Sequence, residues 1–273
     1  MKKNLVLFAA LFMFGFMFQA CQKDTEDTKS EQVTAEDIAS HNDLTEQADA
    51  EMDEYIPDNF TGGVEDRGCA TVTLAQPKGT WPNTITIDFG TGCTKPDGRT
   101  LKGKIIAQQS NAMNVSGATR TVTYDNFFIE NVQLTGTRTL KNTGLNGAGQ
   151  PVFTKTGSET LSFPDGSQAT RNIDHTRTMT AGFGTLTRAD DEWSVTGTDT
   201  GTNRQGDPYT VTITSPLVKR AVCPWIGAGV IEFSLNGKTR SLDFGSGDCD
   251  REATLTLADG TVKKVKIRHH WWK

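Results

Sequence analysis

The chain has 273 residues, of which 35% are hydrophobic and 22% charged, and its net charge is −5 at neutral pH. That balance argues against nucleic-acid binding, which depends on a surplus of Lys and Arg to displace counterions. The length allows one large domain or two small ones.

The chain opens with Met1-Lys2-Lys3, runs nearly all apolar over residues 5–18, and reaches Phe18-Gln19-Ala20-Cys21. A basic start, a short apolar run and a small residue before a cysteine make a secretory signal over residues 1–20, of the bacterial lipoprotein kind. A membrane-spanning helix needs roughly 20 apolar residues, more than this run supplies. Cleavage before Cys21 would leave its thiol to carry lipid, and the membrane is then the first partner. Each buried CH₂ of an acyl chain contributes roughly 0.8 kcal/mol to such an attachment.

Residues 22–58 carry thirteen Asp and Glu against Lys23 and Lys29. Segment 21–66 is therefore expected to be an acidic, partly helical tether that holds the body off the membrane. Thr34-Ala35-Glu36-Asp37 reads as a helix N-cap, followed by loosely spaced apolar Ile38, Leu44, Ala48 and Met52. As random coil the tether would span roughly 35 Å.

From residue 67 to 273 the apolar period is two. Residues 84–89 alternate polar and apolar, and similar runs occupy 121–124, 132–140, 152–163, 193–198, 209–215, 230–235 and 254–257. Pro96-Asp97-Gly98, Asn146-Gly147, Pro164-Asp165-Gly166, Asn236-Gly237 and Asp259-Gly260 separate them as turns. The expected fold is all-β, an antiparallel meander of hairpins forming either a curled sheet or a two-layer sandwich. Residues 110–215 hold 23 threonines and few large aliphatics. Val115-Ser116-Gly117, Leu134-Thr135-Gly136-Thr137, Lys155-Thr156-Gly157-Ser158 and Val195-Thr196-Gly197-Thr198 repeat a short pattern there.

A second repeat brackets this middle, at 69–107 and 223–268. Both copies read cysteine, strand, Asp-Phe-Gly-x-Gly, cysteine, strand, with the cysteines 24 and 26 residues apart. With Cys21 assigned to lipid, the simplest pairing is Cys69 with Cys93 and Cys223 with Cys249, as an oxidising compartment permits. Each bridge would contribute about 3.5 kcal/mol by loop-closure entropy.

The run Thr86-Ile87-Asp88-Phe89-Gly90-Thr91-Gly92-Cys93 with Asp97-Gly98-Arg99-Thr100 and Lys102-Gly103-Lys104-Ile105, and later Asp243-Phe244-Gly245-Ser246-Gly247-Asp248-Cys249-Asp250, resembles uncharacterised lipoproteins of Bacteroidota. Cys21-Gln22-Lys23-Asp24 is similar to their surface-export signal. The resemblance implies outer-membrane anchoring, facing the exterior or the periplasm, and implies no activity.

Candidate chemistry is sparse. The two Asp-Phe-Gly stretches lack the other parts of a kinase site and read as strand ends. Asp248, Asp250 and Glu252 lack a calcium loop. His175 and the closing His269-His270-Trp271-Trp272 lack zinc-ligand spacing, so neither metal nor cofactor is expected. Thr-Arg-Thr at 119–121, 137–139 and 176–178 would place Arg120, Arg138 and Arg177 on one face as a basic stripe for a polyanion, a glycan or a lipopolysaccharide phosphate. The expected role is binding or structural in the cell envelope, without catalysis and with a glycan or another envelope protein as partner. The alternative is a glycan-processing enzyme using Asp190, Asp191 or Glu192.

Overall fold

The computed structural model describes residues 20–55 and 69–266, apart from 78, 97, 186 and 224. Most of the expected signal segment and the closing histidines and tryptophans lie outside the described residues. Among the described residues one α-helix, α1 (Ala20–Tyr55), precedes fourteen strands. These are β1 (Thr71–Leu74), β2 (Asn83–Asp88), β3 (Cys93–Thr94), β4 (Thr100–Gln109), β5 (Thr119–Ile129), β6 (Val132–Leu145) and β7 (Pro151–Ser162). They continue as β8 (Gln168–Ala181), β9 (Glu192–Thr202), β10 (Pro208–Arg220), β11 (Ile226–Leu235), β12 (Lys238–Ser246), β13 (Glu252–Thr256) and β14 (Val262–Lys266).

The strands form a single antiparallel sheet in the order β1-β2-β4-β5 and onward in sequence to β14, with β3 pairing only with β4. The antiparallel meander is as the sequence predicts, and it is one open sheet rather than a two-layer sandwich. The predicted turns close it. Asn236 and Gly237 both have positive φ and join Leu235 to Lys238 in a two-residue hairpin. Phe163–Ser167 and Leu257–Thr261 close by backbone hydrogen bonds across Pro164-Asp165-Gly166 and Asp259-Gly260.

Two of the repeated glycines have a structural reason. Gly136 has φ +119°, and a Cβ there would lie 2.1 Å from the Ser158 carbonyl oxygen. Across the same strand pair, a Cβ on Gly157 would lie 2.3 Å from the Thr137 carbonyl oxygen. Only glycine lets β6 and β7 approach so closely while the chain bends.

Both disulfides form as the repeat predicts, with Cα–Cα distances of 5.6 Å for Cys69–Cys93 and 5.7 Å for Cys223–Cys249. The Asp-Phe-Gly stretches are matching strand ends. Asp88 and Asp243 each accept a hydrogen bond at 2.8 Å from the backbone N–H two residues on, at Gly90 and Gly245. Phe89 and Phe244 are buried in two separate apolar cores. The first core gathers side chains from β1 to β7 with Ala169 of β8, and the second gathers β9 to β14.

The acidic segment departs most from expectation. It is a 36-residue helix, and it is docked rather than solvated. Residues 34–41 are buried without a break, so the protein encloses this stretch instead of covering one face. Thr34 is no N-cap, because the helix begins well before it. Its hydroxyl donates back to the Ser30 carbonyl at 2.8 Å. Leu44, Ala48, Met52 and Tyr55, at helical spacing, join the first core, whereas Ala35 and Ile38 join the second. At 100° per residue, Ile38 and Leu44 point about 120° apart. The apolar residues therefore make no single stripe, which is why the segment reads as a polar tether.

Candidate functional site

The inner face of the sheet is charged at its middle. Along β7, Phe153, Lys155, Glu159 and Leu161 share one buried face, while threonines and serines occupy the alternate positions. β8 repeats the arrangement with Ala169, Arg171, Ile173 and His175. Leu161 and Ala169 join the first core, and Lys155 and Glu159 meet α1.

Seven sheet or turn cations pair with seven carboxylates of α1 among the described residues. The densest group surrounds Asp49. Its carboxylate lies 2.5 Å from Arg138 Nη2, 2.7 Å from Lys155 Nζ and 3.5 Å from Arg177 Nη1. Glu46 adds contacts of 3.7 Å to Lys155 and 3.6 Å to Arg177. Arg138 also donates to the Tyr124 hydroxyl and, at 2.9 Å, to Glu159, which accepts a 2.7 Å hydrogen bond from Thr45 on α1. Burial acts to raise the Asp49 pKa, but Arg138, Lys155 and Arg177 outweigh it and hold the carboxyl below the usual range. Glu46 is lowered likewise, against burial, chiefly by Arg177 and Lys155. A cavity of about 30 Å³ sits here, lined by Asp49, Arg120, Arg138, Lys155 and Arg177 among others.

Toward its C-terminus α1 offers Glu51 and Glu54 to Lys95, at 3.0 and 2.9 Å, and Glu51 to Arg99 at 3.6 Å. Toward its N-terminus the pairs are isolated. Arg204, in the β9–β10 turn, meets Glu36 at 3.1 Å and Asp37 at 2.5 Å, and its backbone N–H donates to Asp37 at 2.7 Å. Burial nevertheless pushes the Asp37 carboxyl up to about 6, with Arg204 only partly offsetting it. Arg240 of β12 pairs with Glu31 and donates to the Leu235 carbonyl at 2.5 Å.

The centre of the helix is the least satisfied. His41 is 0% exposed, and neither ring nitrogen makes a well-formed hydrogen bond; the Ala169 backbone offers only a weak one. Burial, with Arg171 adding to it, pushes its imidazole down to about 3. Arg171 reaches Asp199 at 3.1 Å through Nη2, yet its Nε and Nη1 are buried without partners. His175 Nε2 lies 2.9 Å from the same carboxylate, and burial lowers its pKa too. Burial acts to raise Asp199, but Arg171 and His175 hold it down at about 2.

Structure corrects the predicted polyanion stripe. Arg138 and Arg177 do stand together, with Arg120 lining the same cavity, so the three share one face as expected. That face points inward. Arg120 is 4% exposed with its Nε donating to Gln109 at 2.9 Å, and Arg138 is 2% exposed. The polyanion that Arg138 and Arg177 meet is the protein's own acidic helix, at Asp49 and Glu46. Of the carboxylates of the enzymatic alternative, Asp190 holds a loop and Glu192 links neighbouring strands. Asp190 accepts from Thr185 at 3.0 Å, and Glu192 lies 3.6 Å from Arg220 and accepts from Thr180 at 2.9 Å. Lys155, Glu159, Arg171 and Asp199 escaped the sequence reading. Their parity with Phe153 and Leu161 on β7, Ile173 on β8 and Val195 on β9 is the signal that could have found them.

Among the described residues no group of three or more His, Cys, Asp and Glu is placed to hold a metal ion, and no helix is long and apolar enough to cross a membrane. The chain matches no protein-family model, no curated protein and no solved structure.

Proposed function

We propose that the chain is an exported protein, acylated at Cys21 and held at the outer membrane, with a binding or structural role in the cell envelope. The observation that supports this most is the pair of disulfides, one in each copy of the cysteine-bearing repeat. Such bridges persist in oxidising compartments and are rare in the cytosol. The docked helix alters how the anchor works. Ser30, whose hydroxyl donates to Asp207 at 2.6 Å, lies only nine positions beyond Cys21. As helix these span about 14 Å, so the body rides close to the lipid instead of on a long coil. The partner is a glycan or another envelope protein.

Mass spectrometry of the mature protein from its native host tests the reading. A tri- or diacylated N-terminal peptide beginning at Cys21 is expected, along with loss of membrane association in Cys21→Ala. A mature chain that retains Met1, or an unmodified thiol at Cys21, would overturn it.

A further inference from the structure

We infer that the inner face of the sheet is a binding groove for acidic helices, which α1 occupies in cis, and that a partner protein carrying such a helix binds by displacing it. The inference rests on the binding half of the proposed function and not on the lipid, so an unacylated Cys21 would leave it standing.

Three features of the interface carry it. First, the groove is cationic on its own account. Among the described residues the buried carboxylates of the sheet's middle are Glu159 and Asp199, of which Glu159 serves Arg138 and Asp199 is committed to Arg171 and His175, so the carboxylates of α1 supply most of the charge opposite the seven cations. Such a surface is complementary to a negatively charged occupant and to no neutral one. Second, the groove reads a helix and not charge alone. The apolar contacts come at Ala35 and Ile38 and then at Leu44, Ala48, Met52 and Tyr55, with carboxylates at 31, 36, 37, 46, 49, 51 and 54 between them. Only a helix presents both sets along about 40 Å with the apolar face turning midway.

Third, α1 is bound with a deficit at its centre. Buried ion pairs stabilise little relative to apolar packing, because each charge loses its hydration. The poorly satisfied ring nitrogens of His41 and the orphan nitrogens of Arg171 add a cost at the middle of the helix. A second helix with an apolar residue in place of His41 would avoid part of that cost. The groove thus favours an acidic helix, and the resident one is not its best ligand.

The purified full chain in detergent serves for the test. Amide hydrogen exchange at neutral pH should show residues 30–55 exchanging at least about 100-fold faster than β6, β7 and β8, since α1 opens without the sheet. A single common rate for helix and strands would overturn the inference without any mutation. In a second arm, a fluorescein-labelled peptide of residues 29–55 is added. The native chain should bind it weakly, because the tethered helix competes at about millimolar effective concentration. The chain carrying Glu46→Gln and Asp49→Asn should bind it at least about tenfold more tightly, and a peptide with the same two changes should lose that gain. Failure of the folded variant, with both disulfides intact and an unchanged β circular-dichroism signal, to capture the peptide would overturn the inference. Equal competition by heparin would also overturn it, since the groove would then be reading charge alone.

Discussion

The two halves of α1 are held by different physics. From Leu44 to Tyr55 four apolar side chains enter the first core, and Asp49 is shared among three cations at once. From Glu31 to His41 only Ala35 and Ile38 enter the second core, and the charges pair locally, at Glu31 with Arg240 and at Glu36 and Asp37 with Arg204. Shared carboxylates lose more when broken, because several buried cations are stranded together. The C-terminal half is therefore the fixed end of the helix, and the N-terminal half is where it would begin to leave.

The sharpest way to break that comparison is at Asp49. Asp49→Ala leaves Arg138 to Glu159, and Lys155 and Arg177 to the longer contacts with Glu46, and urea unfolding should show a loss of about 3–5 kcal/mol. A loss no larger than that of Asp37→Asn would remove the distinction between the halves. Truncation of the apolar contacts comes next. Leu44→Ala and Ile38→Ala should each cost about 3 kcal/mol, with exchange protection falling mainly in β1–β7 for the first and in β9–β14 for the second. Equal loss of protection in both sets of strands would mean that the cores are one unit.

Acid should act at the middle. His41 is held neutral in the folded protein, facing Arg171, Glu159, Asp199 and the Ala169 backbone. As pH falls below 6.5 the unfolded chain gains a proton there that the folded chain refuses, so stability falls. Between pH 6.5 and 5 this group should remove about 2 kcal/mol, and His41→Gln should flatten that part of a pH-stability curve. An unchanged slope in the variant would place the acid sensitivity elsewhere. The smallest expected effect is at Asp37, whose folded pKa is raised, so its contribution to stability grows as pH falls from about 6 toward 3.8. Asp37→Asn should change stability at pH 7 by no more than about 1 kcal/mol and make the acid loss steeper. A shallower acid loss would contradict the burial of a costly carboxylate at this position.

Much of the sheet was legible residue by residue. Asn236-Gly237 and Asp259-Gly260 mark turns because their backbone preferences are local, and alternation over 84–89 marks a strand for the same reason. The cysteine repeat gave the disulfide pairing, because both copies bring their cysteines back across one hairpin. The helix was legible in its apolar positions, Ile38, Leu44, Ala48 and Met52, all of which are buried. Its length and its docking were not. A stripe that turns between two cores resembles no stripe at all, and thirteen carboxylates within 22–58 look like a solvated segment until their partners are found.

Local preference and spacing in the sequence alone determined the strands, most turns and the two bridges, since each depends on residues near one another along the chain. Only the tertiary structure decided which face of the strands looks inward. Period-two alternation puts Arg138, Lys155 and Arg177 on one face but does not distinguish inside from outside when that face mixes charge with apolar residues. The choice is made by a long-range match, in which the carboxylates of α1 meet cations roughly 45 to 210 residues further along the chain. Burial of either set without the other would be too costly to persist.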